Sequence, residues 1–240
     1  MLSQKQLVKA CCRAIYLWEF GDDTVDAKVR LSDKELLNYF AGAWMNHKNH
    51  QAPVGYSLNH IEKLIYNCQV RLSQLSNPTL LGINNYFNDP TVLSRYNFTF
   101  ASKIRLRDRW NRGREFNEEL ASALNVSTVA GIPIPGSGDQ KALASRVLFF
   151  AMPELHAFNY SGPLIDSLKS HGEYIGGDLV DVYIVMNDLL NDNMKELKKL
   201  PRPKFTNKNG LSKAINLGDW WERRVLDLAL LENWECFCKN

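Results

Sequence analysis

The segment Ile134-Pro135-Gly136-Ser137-Gly138, followed by Asp139-Gln140-Lys141 and then Ala142-Leu143-Ala144-Ser145-Arg146, has the residue types of an anion-binding turn. Glycines let the backbone approach a ligand closely, and the small residues after them open a helix whose first N–H groups have no intrahelical partner. Gly136, Ser137 and Gly138 are therefore candidates to hold a phosphate. Lys141 falls in the first turn of that helix, where desolvation and the helix N-terminus would activate its amine as a nucleophile. Its plainer reading is a phosphate-contacting or simply exposed lysine. Asn159 stands 18 residues beyond Lys141, in Phe158-Asn159-Tyr160-Ser161.

These pieces together resemble the helix-hairpin-helix DNA glycosylases. The run 134–138 looks like that family's hydrophobe-Pro-Gly-x-Gly hairpin, and Lys141 resembles the lysine of its bifunctional members. Asn159 falls where the family has its catalytic aspartate. The wording Ala144-Ser145-Arg146-Val147-Leu148-Phe149-Phe150 with Pro153-Glu154-Leu155 is similar to a bacterial branch that is 8-oxoguanine-glycosylase-like. The similarity covers residues 127–170. Two features depart from the pattern: one extra residue separates the second glycine from the lysine, and the acid is an amide. The resemblance implies an all-α, multi-helix fold with two helical lobes around a DNA-binding cleft, the hairpin lying at their boundary. It also implies excision of a damaged or modified base from DNA, either oxidised guanine or a bulky base such as those of some phage genomes. The biological setting would be DNA repair or, for the bulky base, phage defence.

Base excision sets physical requirements that can be put to individual residues. The nucleotide must be turned out of the stack into a pocket, and positive charge develops on the sugar as the N-glycosidic bond breaks. Lys141 could attack C1′ and form a Schiff base, which would add lyase activity to base loss. Asn159 carries no charge, and a unit charge 4 Å away at an effective dielectric near 20 is worth roughly 4 kcal/mol, about a thousandfold in rate. Three readings stay open for Asn159. It is an aspartate exchanged to trap substrate, a natural variant in which Lys141 or a carboxylate such as Asp139, Glu154 or Asp166 bears the load, or the mark of a DNA-binding protein that does not cut. Asparagine is also a good helix N-cap, which would suit a position before a helix from 161 to 169. Phe158, Tyr160 and Trp220 are candidates for the base pocket, as are Phe149, Phe150 and Trp221, each with a core role as the alternative. Arg146 could reach a phosphate or lay its stem along apolar surface, and His156 could contact a base or serve the core.

Charge and composition agree with a nucleic-acid partner without requiring one. The chain has 240 residues, is 45% hydrophobic and carries a net charge of +3, as an ordinary globular protein would. Lys103, Arg105, Arg107, Arg109, Arg112 and Arg114 face a single acid, Asp108, within one short stretch. A second stretch has Lys195, Lys198, Lys199, Arg202, Lys204, Lys208 and Lys213 with Glu196 as its acid. Two basic stretches flanking the hairpin suit a phosphate backbone, Arg105, Arg107 and Arg109 above all, although each alone reads as a solvated face. The five cysteines, at 11, 12, 68, 236 and 238, lack disulfide or metal-ligand spacing, so reduced thiols and no iron–sulfur cluster are expected. His47 and His50 lack ligand partners at suitable spacing, and Gly131 to Gly136 lacks the lysine of a nucleotide-binding loop, so neither a metal nor another cofactor is expected. No apolar run approaches the ~20 residues of a membrane span. A cytoplasmic monomer is the expectation.

The positioning elements follow from periodicity. Apolar residues spaced as on a helix predict one from Gln4 to Phe20, and the capping-box pattern Ser32-Asp33-Lys34-Glu35 opens another through Trp44. Helices are predicted over 58–75, 115–124, 140–152, 161–169, 180–200 and 216–234, with an irregular segment over 82–100. An N-terminal helical region, 1–100, and a hairpin-bearing region, 101–240, should fold as one unit. Two further classes remain: a DNA-binding module without catalysis, and a helical scaffold that uses its hairpin for protein contacts.

Overall fold

The computed structural model describes residues 2–38 without 24, 26 and 29, 105–118 without 109, 112, 116 and 117, 145–150 without 147, 157–173, 178–204 and 217–231. The expected elements over 58–75, 82–100, 119–124, the remainder of the helix running to Trp44, and the hairpin at 134–138 lie outside the described residues. All regular structure among the described residues is helical. Four helices are given end to end: α1 Gln4–Phe20, α2 Gly162–Ser170, α3 Leu179–Leu197 and α4 Leu217–Leu230. Helical residues also occur at 33–38, between 106 and 118, and between 145 and 150.

Each helix end has a local cause. Ser3 caps α1 through its side chain, which accepts from the Gln6 N–H at 3.2 Å, while the Gln6 side chain returns to the Ser3 N–H at 2.9 Å. The helix stops at Gly21, whose φ of 73° and close approach to the Leu31 carbonyl leave no room for a Cβ. The Ser32 box forms as expected: the Glu35 carboxylate accepts from the Ser32 N–H at 2.7 Å and the Glu35 N–H donates to Ser32 Oγ at 3.2 Å. Ser161, with Pro163 just inside the helix, caps α2 by accepting from the Leu164 N–H. Asn159 is therefore not the cap.

One expected boundary moves. Helical residues begin at Leu106, ahead of the predicted start at Glu115, because Leu106, Trp110 and Gly113 repeat at helical spacing and turn one face inward beneath the basic residues. Trp110 is buried and meets the Tyr183 ring edge-on at 6.1 Å. Arg114, at the far side of the same stretch, bonds Asp178 at 2.7 Å. Asp178 is the N-cap position of α3 but makes no side-chain cap.

The core gathers around α4, which touches α1, α2 and α3. Every residue from Trp220 to Leu230 is buried, including Glu222, Arg223, Arg224 and Asp227. Leu7, Leu17, Trp18 and Leu37 from the N-terminal region join Phe149, Phe158, Tyr183, Trp220 and Leu226 in one hydrophobic cluster. The described residues before and after position 100 thus share a core. The Leu2 N–H donates to Asn193 on α3 at 3.1 Å, which fixes the start of the chain against that helix. No described helix is long and apolar enough to cross a membrane.

Burial pushes the Cys11 thiol up to about 11, with the neighbouring Cys12 adding to the effect. Cys11 and Cys12 are free thiols. Alkylation of the native protein near neutral pH is expected to spare Cys11 and to reach it after unfolding, as peptide mass mapping would show. The buried pair of Asp33 with Arg224 supplies a second expectation. Removing one partner strands the other in the core, so Asp33→Ala should cost about 3–5 kcal/mol, against about 1 kcal/mol for Ser32→Ala, measured as urea unfolding free energies.

Candidate functional site

The segment 157–161 that carries Asn159 is held from several sides. Arg223 on α4 donates from Nη1 to the Ala157 carbonyl at 3.0 Å. Ser145, in the helical stretch before it, accepts from the Tyr160 N–H at 2.9 Å. Phe158 is buried edge-on against Tyr183 at 5.8 Å, and Ser161 is committed to capping α2. Between these anchors the Asn159 side chain points into the protein, only 4% of the residue being exposed, and its Nδ2 donates to Asp227 Oδ2 on α4.

Asp227 belongs to a group of buried charges. Its Oδ2 lies 3.4 Å from Arg224 Nη1, one turn back on α4, and 3.8 Å from Arg146 Nη1. Arg224 in turn grips Asp33 through two bonds, Nε to Oδ2 at 2.7 Å and Nη2 to Oδ1 at 3.2 Å. Two guanidiniums and two carboxylates balance, and each charge reaches its partner in a place where an isolated one would be very costly. Burial raises the Asp227 pKa above the ordinary carboxylate value, against the lowering effects of Arg146, Arg224 and the Asn159 hydrogen bond, while the Asp33 charge adds to the rise. Burial would lower the Arg224 pKa, but Asp33 and Asp227 outweigh it and hold the pKa above its usual value. Two atoms are left over. Asn159 Oδ1 and Asp227 Oδ1 are buried and have no hydrogen-bond partner among the described residues. An unmatched buried acceptor costs about 1–3 kcal/mol, which sets these two oxygens apart from the paired groups around them.

The other residues singled out from the sequence separate clearly by position. Lys141, Gly136, Ser137, Gly138 and Arg109 lie outside the described residues, as do Asp139, Glu154, His156, His47 and His50. Arg105 and Arg107 are exposed. Arg146 is part of the Asp227 group, with its side chain 16% exposed. Trp220 is fully enclosed: its ring packs on Phe149 at 5.2 Å, Phe150 at 5.8 Å and Trp18 at 6.0 Å, and its Nε1 donates to the Phe149 carbonyl at 3.1 Å. Phe149, Phe150, Phe158 and Trp221 are likewise core side chains, whereas Tyr160 is partly exposed. Asp166 sits on the exposed side of α2. The carboxylate that meets Asn159 is Asp227, which sequence reasoning did not single out. Its signal was present: a lone acid inside Val225-Leu226-Asp227-Leu228-Ala229-Leu230, on the same helical stripe as Trp220, Arg223 and Arg224.

Among the described residues no group of three or more His, Cys, Asp or Glu is placed to hold a metal ion. No family model, curated protein or solved structure matches the chain.

The geometry alters what an acid at position 159 would do. Asn159→Asp sets a second carboxyl against Asp227, and two carboxylates in contact hold a proton to a higher pH than either does alone. The folded variant then binds that proton more tightly than the unfolded chain. Its stability relative to the wild type is present below the ordinary carboxylate value and is lost as pH rises through the raised folded value, by about 1–3 kcal/mol at neutrality. Unfolding free energies of variant and wild type, compared from about pH 4 to about pH 8, would measure the loss.

Proposed function

We propose that the chain is a DNA glycosylase that turns a damaged or modified base out of duplex DNA and cleaves its N-glycosidic bond. Gly136, Ser137 and Gly138 would hold a phosphate, Lys141 would attack the sugar C1′, and Asn159 would stand beside the sugar. The observation that carries the reading is the hairpin and its lysine followed at 18 residues by an asparagine that is buried against a carboxylate, not spent on a helix cap. A residue with only a local turn role would have no need of a charged partner 68 positions away. Arg105 and Arg107 are exposed cations suited to backbone phosphates. Within this reading the substrate is oxidised guanine or a bulkier modified base.

A DNA-binding module without catalysis is the second reading, favoured by one observation: position 159 is an amide and its side chain is enclosed. Covalent trapping separates the two. Incubation with duplexes carrying a panel of modified bases, followed by borohydride, is expected to yield a protein–DNA adduct that Lys141→Gln removes. Asn159→Ala should lower base release about hundredfold while duplex affinity changes little. Salt-dependent duplex binding with no adduct and no alkali-sensitive sites on any duplex would establish the binding module, and absence of DNA binding would remove both readings.

A further inference from the structure

An amide stands where developing positive charge calls for an anion, and the partner of that amide suggests how the need is met. We propose that Asp227 is a positioning residue that holds the Asn159 amide with Oδ1 as its buried, unmatched acceptor and strengthens that acceptor with its own charge. The pair then performs at the sugar what a single carboxylate would. The part played at the sugar rests on the glycosylase reading; the state of the amide does not.

Four features of the structure lead there. An amide group presents nearly the same shape whichever way it is turned, so charge decides its orientation. An ionised carboxylate only accepts, and the Asn159 NH2 must therefore face Asp227, which leaves Oδ1 on the other side. Arg146 and Arg224, at 3.8 Å and 3.4 Å from Oδ2, favour the ionised form that imposes this orientation, against the burial and the Asp33 charge that raise the Asp227 pKa. Donation from Nδ2 to an anion draws the amide's electrons toward its oxygen, so Oδ1 becomes a stronger acceptor in a setting of low dielectric. Finally, Asn159 is more than nine-tenths buried with Oδ1 unmatched among the described residues, and the segment around it is held by Arg223, Ser145 and Ser161. The acceptor is kept in place with no donor among the described residues.

The arrangement also accounts for the amide itself. An aspartate at 159 would sit against Asp227: ionised, it would add an unmatched negative charge to the neutral set of Asp33, Arg146, Arg224 and Asp227, and sharing a proton with Asp227 it would bring no charge of its own. Asparagine leaves that balance intact and passes the effect of the Asp227 charge to its own Oδ1. No bond forms and no proton moves in this role; the pair acts through charge and dipole alone.

Two measurements on the whole protein test the proposal. In protein labelled with 15N at asparagine, the Asn159 amide is identified by its loss in Asn159→Ser. One of its protons is expected well downfield of the other side-chain amides in the wild type, returning toward them in Asp227→Asn and on acidification, as Asp227 takes up a proton beside Asp33, Arg146 and Arg224. The second measurement compares two duplexes, one with a cationic pyrrolidine in place of a nucleotide and one with a neutral tetrahydrofuran. The wild type should prefer the cation, and both Asp227→Asn and Asn159→Leu should lose about tenfold of that preference with little change in affinity for unmodified duplex. Asn159→Leu leaves the buried charges balanced, so it serves if Asp227→Asn does not fold. An Asn159 proton at the ordinary position in the wild type overturns the proposal outright. A downfield proton with no cation preference overturns the role at the sugar and the glycosylase reading with it. A preference that survives both substitutions overturns the pair's role and leaves the glycosylase reading standing.

Discussion

Burying Arg224 and Asp227 inside α4 is the constraint to which the rest of the described structure answers. A helix enclosed on all sides would ordinarily be apolar all round, yet α4 carries Glu222, Arg223, Arg224 and Asp227 through the core. Each must find a counterpart, and the counterparts come from separate parts of the chain: Asp33 from the N-terminal region, Arg146 and Asn159 from the central one, Arg202 from the segment after α3. Apolar packing of Trp18, Phe149 and Trp220 would bring these segments near one another. The ion pairs decide how they meet, because a shifted arrangement would leave a guanidinium or a carboxylate alone in a medium of low dielectric.

The same constraint reaches the surroundings of Asn159. Its segment is tied to α4 by the Arg223 bond to the Ala157 carbonyl and to the preceding helical stretch by Ser145. The residues that give rigidity and those that set the electrostatics are neighbours on one helical face, Arg223, Arg224 and Asp227. Stability and site geometry are therefore not separable here: the charges that would orient the amide also hold the core together.

How much of this was legible beforehand depended on the type of information. Local signals read well. The cap at Ser32, the stop at Gly21 and the spans of α1, α2 and α3 follow from side chains within a few residues of each end, whereas the cap of α2 is Ser161 and not the Asn159 that the sequence offered. The start of the stretch near Leu106 was hidden because its arginines mask a short apolar stripe, and only Trp110 against Tyr183 reveals which face is inward. The aromatic residues proposed for a base pocket were ambiguous in kind: Trp220 has the ring of a stacking platform, and its Nε1 bond to Phe149 shows that the core uses it. Asp227 illustrates the hardest case. A lone acid in an apolar helix signals a buried partner, but nothing in linear sequence names that partner when it lies 68 residues away.

The bond between Arg224 and Asp33 joins positions 191 residues apart. Contacts so remote in sequence cost loop-closure entropy before their own energy is gained, which weighs against fast folding. During synthesis the N-terminal partner emerges long before the helix that completes it, and α1 and the Asn159 segment have no α4 to settle on until then. The arrangement at Asn159 is thus assembled by the last helix described in the chain, which makes its integrity a report on whether the whole molecule has folded.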